Sequence, residues 1–314
     1  MTNLTPPTPA TPYVTFAGEG APLSTLSEEE LVSVYKRHGA ILLRGFNVDL
    51  SGFSDLTRRI CVSSVFNESP GREVIDANQN VQTVNLGAEA FPLHPELSRE
   101  PWKPDICFFW CIEAPTNGGE TTLCDGIEIV RNLTPAVREQ FAARSLLHRQ
   151  IATPAECERW LGSAEPDDTK LANPPASCPY TFERVNGKVL RSFVRPAFHK
   201  PMFSDEPAWG NFLLFARYLN RIRVFPTFEN GELVSDALLD QVKAVSDQLE
   251  KPIPWQPGDI VILDNTRFMH GRRQITDVSE RRIATYFGYV RFAEISAQER
   301  QYPWRDASFR PPRA

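Results

Sequence analysis

The sequence predicts a mainly β fold with peripheral helices, folded as one domain, and three observations lead there. Proline is abundant, 27 residues against 17 glycines, which argues for many loops and against a bundle of long helices. Short apolar runs bounded by proline or glycine recur along the chain, and Ile106 to Ile112 between Pro104 and Pro115 is the clearest. The composition is that of a globular protein, 41% hydrophobic and 23% charged. A chain of 314 residues can bury a large core, roughly three-quarters of its unfolded surface.

The elements follow in order. Residues 1–12, rich in Pro and Thr, read as a disordered or extended tail, and residues 13–314 as the single domain. Ser27 followed by Glu30 is a capping box, Leu31, Val34 and Tyr35 give helical spacing, and Gly39 ends the helix. Ala40 to Phe46 reads as a buried strand. Ser51 to Val62 reads as a second helix with Phe53, Leu56 and Ile60 on one face. Ile106 to Ile112 is a core strand, Gly118-Gly119 a turn, and Glu120 to Cys124 a short return strand. Val189 to Val194, Asp259 to Leu263 and Ile283 to Val290 are further strands. Asp236 to Leu249 is a helix, with Leu238, Val242, Val245 and Leu249 on one stripe. Residues 153–180 and 195–235 contain prolines without a clear period and read as irregular insertions, the length of substrate loops.

Charge and patterning exclude several functions. The formal net charge is −5, and no basic face of the kind a nucleic-acid binder needs is visible. The longest apolar run is too short to cross a bilayer. No basic stretch followed by an apolar one opens the chain, so no secretory leader is expected. The six cysteines form no CxxC pair and read as buried thiols of a cytoplasmic protein.

The chemistry lies in few residues. Of five histidines, His94 stands in Phe-Pro-Leu-His94-Pro95-Glu96. Pro95 disfavours helical backbone at His94, and in an extended chain residues two apart point the same way, so imidazole and carboxylate project together. His270 follows a Pro-Gly-Asp turn and the strand Ile260-Val261-Ile262-Leu263, and precedes Gly271-Arg272-Arg273. Two histidines and one carboxylate make the facial triad that suits non-haem Fe(II), while zinc remains chemically possible with the same ligands. Thr121, just after Gly118-Gly119-Glu120, and Arg281, eleven residues past His270, supply a hydroxyl and a guanidinium able to hold the carboxylate of a dicarboxylic cosubstrate. His38 closes a helix, His148 lies in a strand, and His199 is a loop residue near a candidate pocket. Asn85 and Arg191 are candidate substrate contacts for a polar or carboxylate-bearing molecule.

The order HxE, GGxT, Pro-Gly-Asp, strand, His-Gly-Arg, Arg resembles the Fe(II)/2-oxoglutarate-dependent oxygenases of the taurine dioxygenase superfamily. Glu96 in place of the commoner Asp is reminiscent of their clavaminate synthase-like branch. The resemblance runs from about Ala40 to Phe292 and is weakest in the two insertions. It implies a double-stranded β-helix, or jelly-roll, core. It implies Fe(II) on His94, Glu96 and His270, and 2-oxoglutarate on Thr121 and Arg281, with O2 as the oxidant. The adjacent Arg282 is the alternative to Arg281, and Thr285 stands where many members carry a second arginine. The activity implied is oxidative decarboxylation of 2-oxoglutarate to succinate, coupled to hydroxylation, desaturation or ring closure of a small polar, amino-acid-like substrate. That substrate would be free or attached to a carrier protein in a biosynthetic pathway. Two other readings stay open on the residues alone, a zinc hydrolase using the same triad and a jelly-roll binding protein without catalysis.

Overall fold

The computed structural model describes residues 3–311 except 68, 70 and 86. Its core is two facing sheets. The major sheet runs in the order Asn3–Thr5, Val14–Ala17, Ala40–Arg44, Ile260–Asp264, Ile106–Glu113, Arg282–Val290, Val81–Thr83, Val74–Asp76, with Cys61–Ser64 also pairing to Arg282–Val290. All its pairings are antiparallel except Val14–Ala17 with Ala40–Arg44. The minor sheet runs Lys251–Pro252, Thr121–Asp125, Phe268–Arg272, Phe91–His94. This is the jelly-roll core, and neighbouring strands come from distant parts of the chain.

The apolar runs are continuous because both faces of the major sheet are covered. Along Ile106–Glu113, Cys107, Phe109 and Cys111 face inward with Leu123 and Phe268 of the minor sheet. Ile106, Phe108 and Trp110 face outward onto Leu31, Tyr35, Phe53 and Leu56 of two helices, Glu28–His38 and Leu50–Ile60. The alternation of period two is present, and burial on both sides hides it in the sequence. The outer face of the minor sheet, Leu93, Cys124 and Met269, packs on helices Gly126–Asn132, Pro135–Ala142 and Asp236–Leu249. The molecule is thus layered helix, sheet, sheet, helix.

Local signals acted as read at Glu28–His38, where the Ser27 side chain accepts from the Glu30 amide and Gly39 closes the helix at φ 73°. Four expectations need correction. The opening tail is not wholly disordered: Asn3–Thr5 form an exposed edge strand on Val14–Ala17, because reciprocal Thr8–Thr11 backbone bonds of 3.0 and 3.1 Å turn the chain back. The second helix stops at Ile60, and Cys61–Ser64 join the sheet, since pairing with Arg282–Val290 outweighs a weak helical preference. The segment 153–180 is not irregular but carries helices Pro154–Leu161 and Asp168–Ala172. The segment 195–235 carries helix Leu213–Tyr218 and the strand Thr227–Phe228. That strand closes an outlying sheet with Ser145–Ile151, Lys188–Pro196 and Thr181–Val185. These elements are too short for a period to show in the sequence. The cysteines form no disulfide among the described residues, and five of the six are buried.

Candidate functional site

The site lies between the two facing sheets, lined by Phe109 of the major and by His94, Thr121 and His270 of the minor, and strand register builds it. Phe91–His94 pairs antiparallel with Phe268–Arg272 so that His94 lies opposite His270, with ring centroids 4.5 Å apart. The strand ends at His94, just before Pro95, and the chain turns, with Leu97 at φ 51°, which brings the Glu96 carboxylate back toward both rings. One donor atom from each of His94, Glu96 and His270 lies within 4.8 Å of the others. The Glu96 backbone is clamped on both sides by Asn265, whose Oδ1 accepts from the Glu96 amide at 2.8 Å and whose Nδ2 donates to its carbonyl at 3.1 Å. Asn67 Nδ2 donates to Glu96 Oε1, and Arg72 Nη2 is 3.5 Å from Oε2.

The two imidazoles suit a metal. His94 Nδ1 donates to the Pro92 carbonyl at 2.8 Å, which leaves the Nε2 lone pair free. His270 Nδ1 is buried without a hydrogen-bond partner among the described residues, and its Nε2 is 3.7 Å from Glu96 Oε2. Burial pushes both histidines below the ordinary imidazole pKa, toward the neutral form that ligates. Phe215 and Phe109 pack on His94 and His270 at 4.5 and 4.9 Å and shield the cluster from water.

The same pocket is lined by Thr121, on the strand next to that of His270, and by Arg281, immediately before the facing sheet's strand Arg282–Val290. Thr121 opens a minor-sheet strand and pairs with Arg272 in register. Gly118 and Gly119 precede it at φ 69° and 68°, a left-handed pair that side-chain-bearing residues rarely adopt. A Cβ on Gly118 would lie 2.5 Å from the Gln274 carbonyl, so the turn also needs close backbone approach. Arg281 Nε donates to the Gly119 carbonyl at 2.6 Å and Nη2 to Thr121 Oγ1 at 3.2 Å. Trp255 Nε1 donates to the same hydroxyl at 3.2 Å. Burial, and then neighbouring Arg272, push the Arg281 pKa down to about 10, so a charged guanidinium waits beside neutral acceptors. Arg282 is exposed, and Arg281 is the residue that lines the pocket.

Asn85 lines the pocket too, but its Oδ1 is engaged by Arg72 Nε at 2.7 Å. Arg191 is not there. It lies in the outlying sheet, ion-paired with Glu156 at 2.8 Å and Glu100 at 3.7 Å and bonded to the Tyr180 hydroxyl at 3.0 Å, so its expected substrate contact is corrected to a structural one. His199 donates Nε2 to the Thr266 carbonyl at 2.6 Å, and His148 is buried against Phe193, both outside the pocket lining. Sequence reasoning missed Arg72, Asn67 and Phe215. They lie in aperiodic stretches, and no motif marks them.

Comparison with known proteins agrees with this geometry. The model of the taurine catabolism dioxygenase TauD, TfdA family matches residues 3–286. The dapdiamide synthesis protein DdaC of Enterobacter agglomerans is 21% identical over 275 residues, 79% of this chain and 82% of that one. The 3-((Z)-2-isocyanoethenyl)-1H-indole synthase of Fischerella ambigua is 23% identical over 273 residues, 83% of this chain and 86% of that one. In fold the chain is similar to PvcB of Pseudomonas aeruginosa, with a TM-score of 0.57, 14% identity, and coverage of 89% of this chain and 87% of that one. PvcB is described as an Fe, alpha-ketoglutarate dependent oxygenase from an isonitrile synthetic pathway. Among the described residues no helix is long and apolar enough to cross a membrane. The family match, which spans residues 3–286, decides for the oxygenase against the hydrolase and binding-protein readings. The chain belongs to the taurine catabolism dioxygenase TauD, TfdA family, and it is an Fe(II)/2-oxoglutarate-dependent dioxygenase.

Proposed function

We propose that His94, Glu96 and His270 hold Fe(II), that Arg281 and Thr121 hold the distal carboxylate of 2-oxoglutarate, and that the substrate is a small, amino-acid-like molecule. That substrate is free or carrier-bound, and it is hydroxylated, desaturated or cyclised within a biosynthetic pathway. The observation that carries the metal assignment is the convergence of two neutral-leaning imidazoles and one buried carboxylate within 4.8 Å. The biosynthetic setting is supported by the names of the two relatives, one a synthesis protein and one a synthase.

Bound iron with 2-oxoglutarate and O2 supplies an oxidant strong enough for an unactivated C–H bond. The chain's own residues orient and protect. The Pro92 carbonyl sets the His94 tautomer, and Asn265 holds the Glu96 backbone so that its carboxylate is aimed before the metal arrives. Arg281 offers its guanidinium and Thr121 its hydroxyl to a carboxylate, a charge-assisted contact in a buried wall. Phe109 and Phe215 keep bulk water from the ligands.

The test is an anaerobic titration with Fe(II) followed by 2-oxoglutarate. A weak visible charge-transfer band is expected, then succinate on admission of O2, with release stimulated by the right amino-acid-like candidate. His94→Ala and His270→Ala should lose the band and turnover while retaining the circular dichroism of the folded protein. Full activity in either purified variant would sink the triad.

A further inference from the structure

The pocket wall carries more positive charge than the cosubstrate uses. Arg72, Arg99, Arg272 and Arg281 line it, against one carboxylate, Glu96, among its described lining residues. Fe(II) and doubly negative 2-oxoglutarate cancel in charge, so the excess persists when both are bound. Three of these guanidiniums have evident places. Arg281 bonds Gly119 and Thr121, Arg272 donates to the Glu89 and Asn85 carbonyls over the face of Phe91, and Arg99 is half-exposed beside Glu100.

Arg72 is different. Its side chain is only 8% exposed, yet among the described residues its one short bond is Nε to Asn85 Oδ1 at 2.7 Å. The outer fork is loosely held: Nη1 is 3.3 Å from Thr285 Oγ1 and 3.4 Å from the Thr83 carbonyl, and Nη2 is 3.5 Å from Glu96 Oε2. Asn85 aims the group and the fork keeps bonding capacity. The Arg72 guanidinium also lies 5.2 Å over the Phe287 ring, and its one carboxylate contact, Glu96, is long, so the fork is poised for a planar anion that can take two bonds at once. Another part of the pocket wall is aromatic: Phe215 stacks on Phe91 at 5.9 Å and lies 5.5 Å from Phe212.

Resting on the oxygenase reading above, we propose that Arg72 is the specificity-determining contact for a substrate carboxylate, and that the substrate is a small carboxylic acid whose apolar body lies along Phe91, Phe212 and Phe215. Asn85 is a positioning residue that acts through Arg72. The substrate is therefore read by an acid group at one end and an apolar surface at the other, and its neutral amide is a poor ligand.

The full-length enzyme, loaded anaerobically with Fe(II) and 2-oxoglutarate, is titrated with 3-phenylpropionate, indole-3-acetate and N-acetylphenylalanine and with their primary amides. Binding is followed by calorimetry and by perturbation of the visible band. The acids should bind tighter than the amides by about tenfold or more. Arg72→Gln should bring each acid down to the affinity of its amide and leave amide binding in place. Arg72→Lys should keep part of the preference, since it retains charge and loses the fork. Asn85→Asp, which sets a carboxylate against the Arg72 Nε, should weaken acid binding in the same direction and stands in if Arg72→Gln does not fold. Failure of any acid to bind, equal binding of acids and amides by the wild type, or equal weakening of both by Arg72→Gln overturns the assignment. Failure of the wild type to bind 2-oxoglutarate would appear in the first titration, before any acid is added, and would overturn the oxygenase reading on which it rests.

Discussion

Arg281, immediately before a core strand, and Arg191, in the outlying sheet, are both buried arginines, and they have opposite surroundings. Arg191 meets Glu156, Glu100 and Tyr180. Burial works against its charge, yet Tyr180, Glu100 and Glu156 together hold its pKa above the ordinary arginine value. Arg281 meets a backbone carbonyl and a hydroxyl, and burial with neighbouring Arg272 lowers its pKa. A buried cation already matched by carboxylates belongs to the fold. One left among neutral acceptors at a cavity wall has capacity for an anion, and under the function proposed above its electrostatic cost in the free enzyme would become binding energy in the complex.

The contrast predicts effects of different kinds. The largest should come from Arg191→Met, which strands buried Glu156 and half-buried Glu100 and should destabilise the fold by about 3–5 kcal/mol, seen as a lower urea midpoint, with the affinity of the surviving folded protein for 2-oxoglutarate unchanged. Weakened 2-oxoglutarate binding in that folded protein would mean that the outlying sheet is coupled to the site. Arg281→Leu should do the reverse. It should cost about 2–5 kcal/mol of 2-oxoglutarate affinity in an anaerobic titration while the urea midpoint holds or rises. Thr121→Val removes one hydroxyl and should weaken 2-oxoglutarate by about 1 kcal/mol, roughly fivefold. Arg282→Ala, at an exposed position, should change neither quantity by more than about 0.5 kcal/mol. If Arg282→Ala shows the 2-oxoglutarate defect and Arg281→Leu does not, the strand is shifted by one residue and Arg282 is the one that faces the pocket.

Much of the candidate site was legible because the residues that converge in the pocket sit beside strong local signals. Pro95 marks His94, and a Pro-Gly-Asp turn with an apolar strand marks His270. A double glycine marks Thr121, and Arg281 opens a strand at a set distance from His270. Arg191 misled because an arginine in an apolar strand looks the same whether its partner is a substrate or a glutamate. Its partners Glu100 and Glu156 are 91 and 35 residues away in the chain, and nothing local announces them. Arg72 was invisible for a related reason. It stands in an aperiodic stretch, and its position depends on Asn85 and Thr285 reaching it from other segments.

The sequence by itself determined the mainly β class, the capped helix ending at Gly39, the helix Asp236–Leu249, the main core strands and the residue types of the triad. These follow from short-range physics: side-chain periodicity, caps, the steric demand of proline and the permissiveness of glycine. Only the tertiary structure decided that His94 stands opposite His270, that Cys61–Ser64 is strand and not helix, that Arg281 and not Arg282 faces the pocket, and which buried arginines are matched. Each of these is a matter of register or of pairing between distant segments. A shift of one residue reverses which face a side chain takes, and long-range pairing energy, which no local pattern encodes, selects among the alternatives.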